Sequence, residues 1–115
     1  MREIKFRAWH SGAQEYCEGS VSNMFSWVDD GQPITLEQFI GRKDNNYNDL
    51  YEGDIISDHV GIGVIKWSER NNSFKVSYAG KNKGQGKWFA DFNLRGELES
   101  IQRIGNIHQN PELIE

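Results

Sequence analysis

A chain of 115 residues with 37% hydrophobic and 26% charged side chains has the balance of one globular unit, long enough to bury a core without staples. Its formal net charge of -4, from 13 basic and 17 acidic side chains, excludes a generic coat for duplex nucleic acid, whose affinity rests on neutralising several phosphates. The single cysteine, Cys17, excludes an internal disulfide and suits a reducing compartment.

The chain opens MREIKFRAW, with charge at Arg2, Glu3, Lys5 and Arg7 and no apolar run behind it, so no secretory signal is expected. No window approaches the roughly 20 apolar residues of a membrane span, and the expected location is the cytoplasm. Residues 3–9 alternate, with Ile4, Phe6 and Ala8 on one face and Lys5, Arg7 and Trp9 on the other, which predicts a strand. His10 to Ala13 form a turn, and Gln14 to Cys17 return antiparallel to it. Val21 to Val28 carries Met24, Phe25 and Trp27 without clean alternation, and Asp29 to Pro33 is a turn cluster.

Thr35 and Gln38 have the spacing of a capping box, but Gly41 ends the segment so soon that Thr35 to Ile40 reads better as a strand. Arg42 to Asp49, rich in Asn and Asp, is a predicted loop. Beyond it, Tyr51 to Ile56 and Val60 to Trp67 are strand-like, and the latter pairs through Arg70 to Asn72 with Ser73 to Tyr78, where Phe74, Val76 and Tyr78 share a face. AGKNKGQGK, 79–87, reads as a mobile loop. Trp88 to Leu94 is a dense aromatic segment, either a strand or a short turn of helix, and Leu98 to Ile107 resumes as a strand bent at Gly105 before a tail from Asn110 and Pro111. Short strands with Gly and Asn turns predict an all-β fold, a small partly closed antiparallel barrel. One unit over 1–115 is expected, with a seam at 42–49 that would divide an N-terminal β subdomain, 1–41, from a more regular barrel, 50–110.

Three segments, MREIKFRAW, FIGRKDNNYNDLYEGDII and IGNIHQNPEL, together resemble the YopX-like family of small proteins encoded by phages and prophages of bacteria. The likeness rests on order and spacing. Its opening strand falls at Arg2, Lys5, Phe6, Arg7 and Trp9, its central loop and strand start at Gly41, Lys43, Asp44, Tyr51, Glu52, Gly53 and Asp54, and its closing motif at Gly105, Asn106, Asn110 and Pro111. One departure is NYN at 46–48, where the family's pattern has a Gly-containing turn. The resemblance implies that the C-terminal part is an SH3-like barrel, that the chain self-associates in a bacterial host cell, and that it carries no established activity or cofactor.

The residues carry little chemistry. His10, His59 and His108 lie 49 residues apart in steps and match no metal-ligand spacing, with Cys17 or without it. Glu52, Asp54 and Asp58 could attract a hard cation, yet Asp at the start of a strand ordinarily accepts local amides, with Lys43 or Arg42 as the expected ion-pair partner. A hydrolase would require Glu52, Asp54, His59 and His108 to converge in one cleft. Cys17 has no activating context, no nucleophile elbow is present, and the Gly80–Gly86 loop lacks the spacing of a phosphate-binding loop. No cofactor or metal is expected.

Two binding readings are left. Trp9, Trp27 and Trp88 are candidate protein-interface residues, since Trp is enriched where apolar area meets a polar rim; a homo-oligomer, or a phage or host protein, is the expected partner. The alternative is a single-stranded nucleic-acid surface of Lys66, Trp67, Lys75, Lys81, Lys83 and Lys87, aromatic platforms among basic side chains with Tyr78 and Phe89 nearby. The leading expectation is a noncatalytic phage or prophage accessory protein acting by protein contacts.

Overall fold

Residues 4–88 and 101–115 are described by a computed structural model; the expectations for Arg2, Phe89 to Leu94 and Leu98 lie outside them. Two antiparallel hairpins open the N-terminal half. β1 (Phe6–His10) turns through 11–14 into β2 (Glu15–Cys17), and the long β3 (Ile34–Lys43) lies along the other edge of β1. β4 (Asp49–Tyr51) completes a four-stranded sheet in the order β2-β1-β3-β4.

Between β2 and β3 stands a helix, α1 (Val21–Asp29). Ser20 caps it, its Oγ accepting the Asn23 amide at 3.1 Å, which satisfies one of the amides a helix start leaves without an intrahelical partner. Val21, Met24, Phe25 and Val28 then recur at helical spacing, so period-two alternation is absent from this segment because its period is that of a helix. α1 packs on β1 and β3, burying Met24 and setting Phe25 edge-on to Phe6.

The second sheet follows from β5 (Asp54–Ser57), β6 (Ile62–Ser68), β7 (Ser73–Tyr78), β8 (Gly86–Trp88) and β9 (Gln102–Asn106), in the order β8-β7-β6-β5-β9. Its buried face carries Ile56, Ile65, Phe74, Val76 and Tyr78, joined by Ile40 and Leu50 from the first sheet and by Ile101. Phe74, Val76 and Tyr78 share this face, as their alternation predicts. The stretch 79–87 is more regular than a loop, holding a 3-10 turn at Gly80–Asn82 and the start of β8. The expected tail folds into a 3-10 turn, Pro111–Ile114, against β6.

The all-β expectation is therefore corrected: the fold is mixed, one helix and two sheets. An SH3-like C-terminal barrel is corrected with it. β8 and β9 stand at opposite edges of the five-stranded sheet, and the partly closed half-barrel is the N-terminal sheet, whose β3 changes register between Phe39 and Lys43. The loop expected at 42–49 narrows to 44–48, because β3 continues through Gly41 to Lys43 and pairs that residue with Asp49.

Candidate functional site

Strand parity sends Arg7 and Trp9 to one face of β1, and register aligns Glu37 with Arg7 and Tyr16 with Trp9. That face, which reads as the polar one, is turned inward. Its counterpart is the start of β5 and the end of β9. The Arg7 guanidinium donates from Nε to Glu37 Oε1 at 2.7 Å and from Nη2 to the Glu52 carbonyl at 3.4 Å, while Nη2 also lies 2.8 Å from Asp54 Oδ1, an ion pair outside hydrogen-bond angle. Tyr16 and Tyr51 cover its two neighbouring faces at 4.5 and 4.7 Å, as expected of a partly desolvated cation over aromatic rings.

Glu37 is the hub. Oε1 also accepts the Tyr16 hydroxyl at 2.9 Å, and Oε2 meets His108 Nε2 at 2.9 Å. The His108 ring stacks on Trp9 with centroids 4.6 Å apart. Burial opposes the Arg7 charge, but Asp54 and Glu37 outweigh it and hold its pKa above the ordinary arginine value. Burial pushes the Asp54 carboxyl up despite Arg7 and the Tyr51 amide, and likewise pushes the Tyr16 hydroxyl up.

Two glycines make room for this cluster. Gly53 sits at φ +88, and a Cβ there would collide with the Glu37 carboxylate. At Gly105 a Cβ would fall 2.6 Å from Asn110 Oδ1. Asn106, buried at the end of β9, accepts the amides of His108 and Gln109 at 3.0 Å each and so sets the turn that delivers His108. The same turn borders a polar cleft of 420 Å³ that includes Arg7, Asp54, Arg103 and Asn110.

A model of the YopX protein family matches residues 17–115. The chain belongs to the YopX family. Membership supports its reading as a phage or prophage accessory protein. A crystal structure of protein EF1440 from Enterococcus faecalis is similar over 100% of both chains, at 25% identity and a TM-score of 0.57. No curated protein matches.

In this YopX chain half of the residues that carried the family resemblance lie where the two sheets join. Arg7, Trp9, Glu52, Gly53, Asp54, Gly105, Asn106 and Asn110 touch or frame the Glu37 cluster. Asp44 instead ties the NYN turn, accepting the amides of Asn46, Asn48 and Arg103 at 3.0, 2.8 and 2.9 Å. Gly41 lies at φ +83 within β3, Tyr51 donates its amide to Asp54, and Pro111 begins the last 3-10 turn. Asp54, at the start of β5, and Asp58, in the turn after it, both accept local amides. The expected partner of Asp54 is corrected, since it pairs with Arg7, while Lys43 pairs with Asp49. Glu37 and Tyr16 carry no local motif, and His108 lies in the closing segment IGNIHQNPEL without being one of its matched positions; only the register of β1 with β2 and β3 and the Asn106 turn brings them together.

The hydrolase constellation does not assemble: Glu52 Oε1 accepts the Gln38 amide, and His59 is exposed in the turn after β5, away from Asp54 at its start. Among the described residues no group of three or more His, Cys, Asp and Glu could hold a metal ion, and no helix is long and apolar enough to cross a membrane.

Trp9 is inside the protein, 3% exposed. Trp27 is half-buried on α1 beside His10, Cys17 and Ile34, and Trp88 is half-buried with Lys75 5.7 Å from its ring. Register places Lys66, Lys75 and Trp88 on one face of the second sheet, whereas Trp67 and Lys87 lie on the other, with Trp67 set edge-on against Phe74. Lys81 and Lys83 belong to the 3-10 turn region between β7 and β8. The aromatic and basic side chains of the nucleic-acid reading are thus divided between two faces, and nothing in the geometry favours that reading. The expectation for Phe89 lies outside the described residues.

Proposed function

We propose that this YopX-family chain is a noncatalytic phage or prophage accessory protein of the bacterial cytoplasm that acts through protein contacts, its first partner being a second copy of itself. The observation that carries this is the exposed margin of the apolar stripe of α1, beside the buried Met24. Val21, Phe25 and Val28 recur there at helical spacing and are 38%, 47% and 41% exposed. The ionisable groups of the Glu37 cluster, by contrast, are engaged with one another inside the protein.

Full burial of a large apolar side chain is worth about 1.5–3 kcal/mol, and a two-fold contact gains it on both copies. A stable interface covers on the order of 1,000 Å² or more, so the stripe needs neighbours. Phe6, on which Phe25 packs, borders it, and Trp27, the interface tryptophan expected from the sequence, lies on a different side of the helix, half-buried beside His10 and Ile34.

Light scattering coupled to size exclusion over a range of concentrations tests this. A mass that is a multiple of 13.3 kDa, reduced by Phe25→Asp, is the expected result. A 13.3 kDa monomer at every concentration overturns self-association.

A further inference from the structure

The cleft between β1, β5 and the turn after β9 is lined by Arg7, Arg103 and one carboxylate, Asp54; Arg7 is also paired with Glu37, which does not line the cleft. The cleft's side-chain carboxylate and amide acceptors are engaged by hydrogen bonds, except Asp54 Oδ1, which is held by charge alone against Arg7. Asp54 Oδ2 takes the Tyr51 amide at 2.8 Å, and Oδ1 faces Arg7. Asn106 Oδ1 takes two backbone amides, and Asn110 Oδ1 takes the Asn106 amide at 3.3 Å. Backbone amides only donate, so both side-chain amides are oriented without ambiguity. Asn106 Nδ2 therefore points to Gln109 Oε1, at 2.8 Å, which orients Gln109 in turn.

What is left over is a set of donors. Gln109 Nε2, Asn110 Nδ2, Arg7 Nη1 and Arg103 Nη2 have no partner among the described residues. Arg7 is already immobilised between Tyr16 and Tyr51, so little side-chain entropy is lost when it meets a ligand. Arg103 is exposed and forms no ion pair with a carboxylate among the described residues; its charge acts on Asp54 from a distance, and Nη1 donates to the Asp49 carbonyl at 3.3 Å.

We infer that this cleft binds a small phosphate-type oxyanion through Arg7, Arg103, Gln109 and Asn110. A carboxylate could take these four donors only by accepting two on each oxygen within one plane, whereas a phosphate spreads them over three or four oxygens in three dimensions. The 420 Å³ volume lies within the usual range of small-molecule sites and leaves space for an organic group on the phosphate. The inference is independent of self-association, since α1 does not line the cleft.

The test is an amide NMR titration of the whole chain with inorganic phosphate at constant ionic strength, chloride being the reference salt. Saturable shifts at residues 103–110 are expected, weakened about tenfold in Arg103→Gln, as loss of one charge-assisted contact predicts. Lys81→Gln, outside the cleft, leaves them unchanged. Glycerol phosphate in place of inorganic phosphate separates the sources: tighter binding marks a phosphate ester, equal binding the free ion. No saturable shift up to about 50 mM, beyond the millimolar range in which a few such contacts register, overturns the site. So do shifts confined to 66–87, or equal weakening by Lys81→Gln. Because Arg103 is exposed, Arg103→Gln retains the fold, and unshifted amides in β6 and β7 verify it.

Discussion

Arg7 Nη2 on β1 stands 2.8 Å from Asp54 Oδ1 at the start of β5, an ion pair that links the first sheet to the second. Both groups are largely out of water, with side chains 16% and 1% exposed. Buried ion pairs contribute little net stability over an apolar replacement, but removing one partner strands the other, at a cost of about 3–5 kcal/mol.

Arg7→Ala is accordingly expected to lower unfolding free energy by about 3–5 kcal/mol, leaving Glu37 and Asp54 without their shared cation. Arg7→Lys recovers only part of it, because one ammonium cannot reproduce the fork that reaches Glu37, the Glu52 carbonyl and Asp54. Urea unfolding measures both; a loss under about 1 kcal/mol for Arg7→Ala would show the cluster to be solvated and energetically idle.

Gly53→Ala and Gly31→Ala separate two penalties. Both glycines sit at positive φ, +88 and +80, but only at Gly53 does an added Cβ meet another group, the Glu37 carboxylate; at Gly31 nothing lies within 4 Å. Gly31→Ala is expected to cost about 1–2 kcal/mol for left-handed backbone alone. Gly53→Ala costs more, by the displacement of Glu37, and equal melting shifts for the two variants would refute that collision.

Acid stability traces to Asp44 and Asp49. Burial alone would raise Asp44, but the amides of Arg103, Asn48 and Asn46 and the Asn48 side chain hold its carboxyl below its ordinary 3.8. The hydrogen bond from Lys5, ahead of burial, and then that from Lys43 set Asp49 below the same value. A depressed folded-state pKa contributes stability above the unfolded value and loses it as pH falls through the folded one. Wild-type stability should therefore fall as pH drops below about 4, and Asp44→Asn should be less stable at pH 7 with a shallower fall in acid. Chemical denaturation at pH 7, 4 and 2 decides it; an unchanged acid slope in the variant removes Asp44 from the account.

Alkaline titration tests the tyrosines. Burial pushes Tyr16 and Tyr78 above their ordinary 10.0, aided by hydrogen bonds to Glu37 and Asp58, and burial raises Tyr51 as well. Their raised pKa values contribute stability that is present below pH 10 and lost as pH rises through the folded-state values. Tyrosinate absorbance at pH 10 in the folded protein should exclude these three, and full ionisation there without unfolding would contradict their burial.

Most strands are legible because period-two alternation is a local property: Phe74, Val76 and Tyr78 bury together, and Phe6 to Trp9 fall in the strand expected over 3–9, although β1 continues into His10, expected in the turn. α1 is not, because Met24, Phe25, Trp27 and Val28 fit no strand period, and the helical repeat stands out only with Val21 and the Ser20 cap. The resemblance pointed to residues of the candidate site without their roles. Arg7 and Asp54 were in its motifs, but Glu37 was one of many glutamates until strand pairing set it opposite Arg7.

The amino-acid sequence by itself determined the antiparallel strands and their turns, the absence of a disulfide, and the family, because these rest on local periodicity, residue type and ordered spacing. Tertiary structure alone decided that both faces of β1 are covered, α1 lying on the side of Phe6 and Ala8. Lys5, Arg7 and Trp9 have the composition of a solvated face, and only the approach of β5 and of His108 removes Arg7 and Trp9 from water. A charge is buried where partners from distant segments compensate its desolvation, and no local pattern encodes where those partners will be.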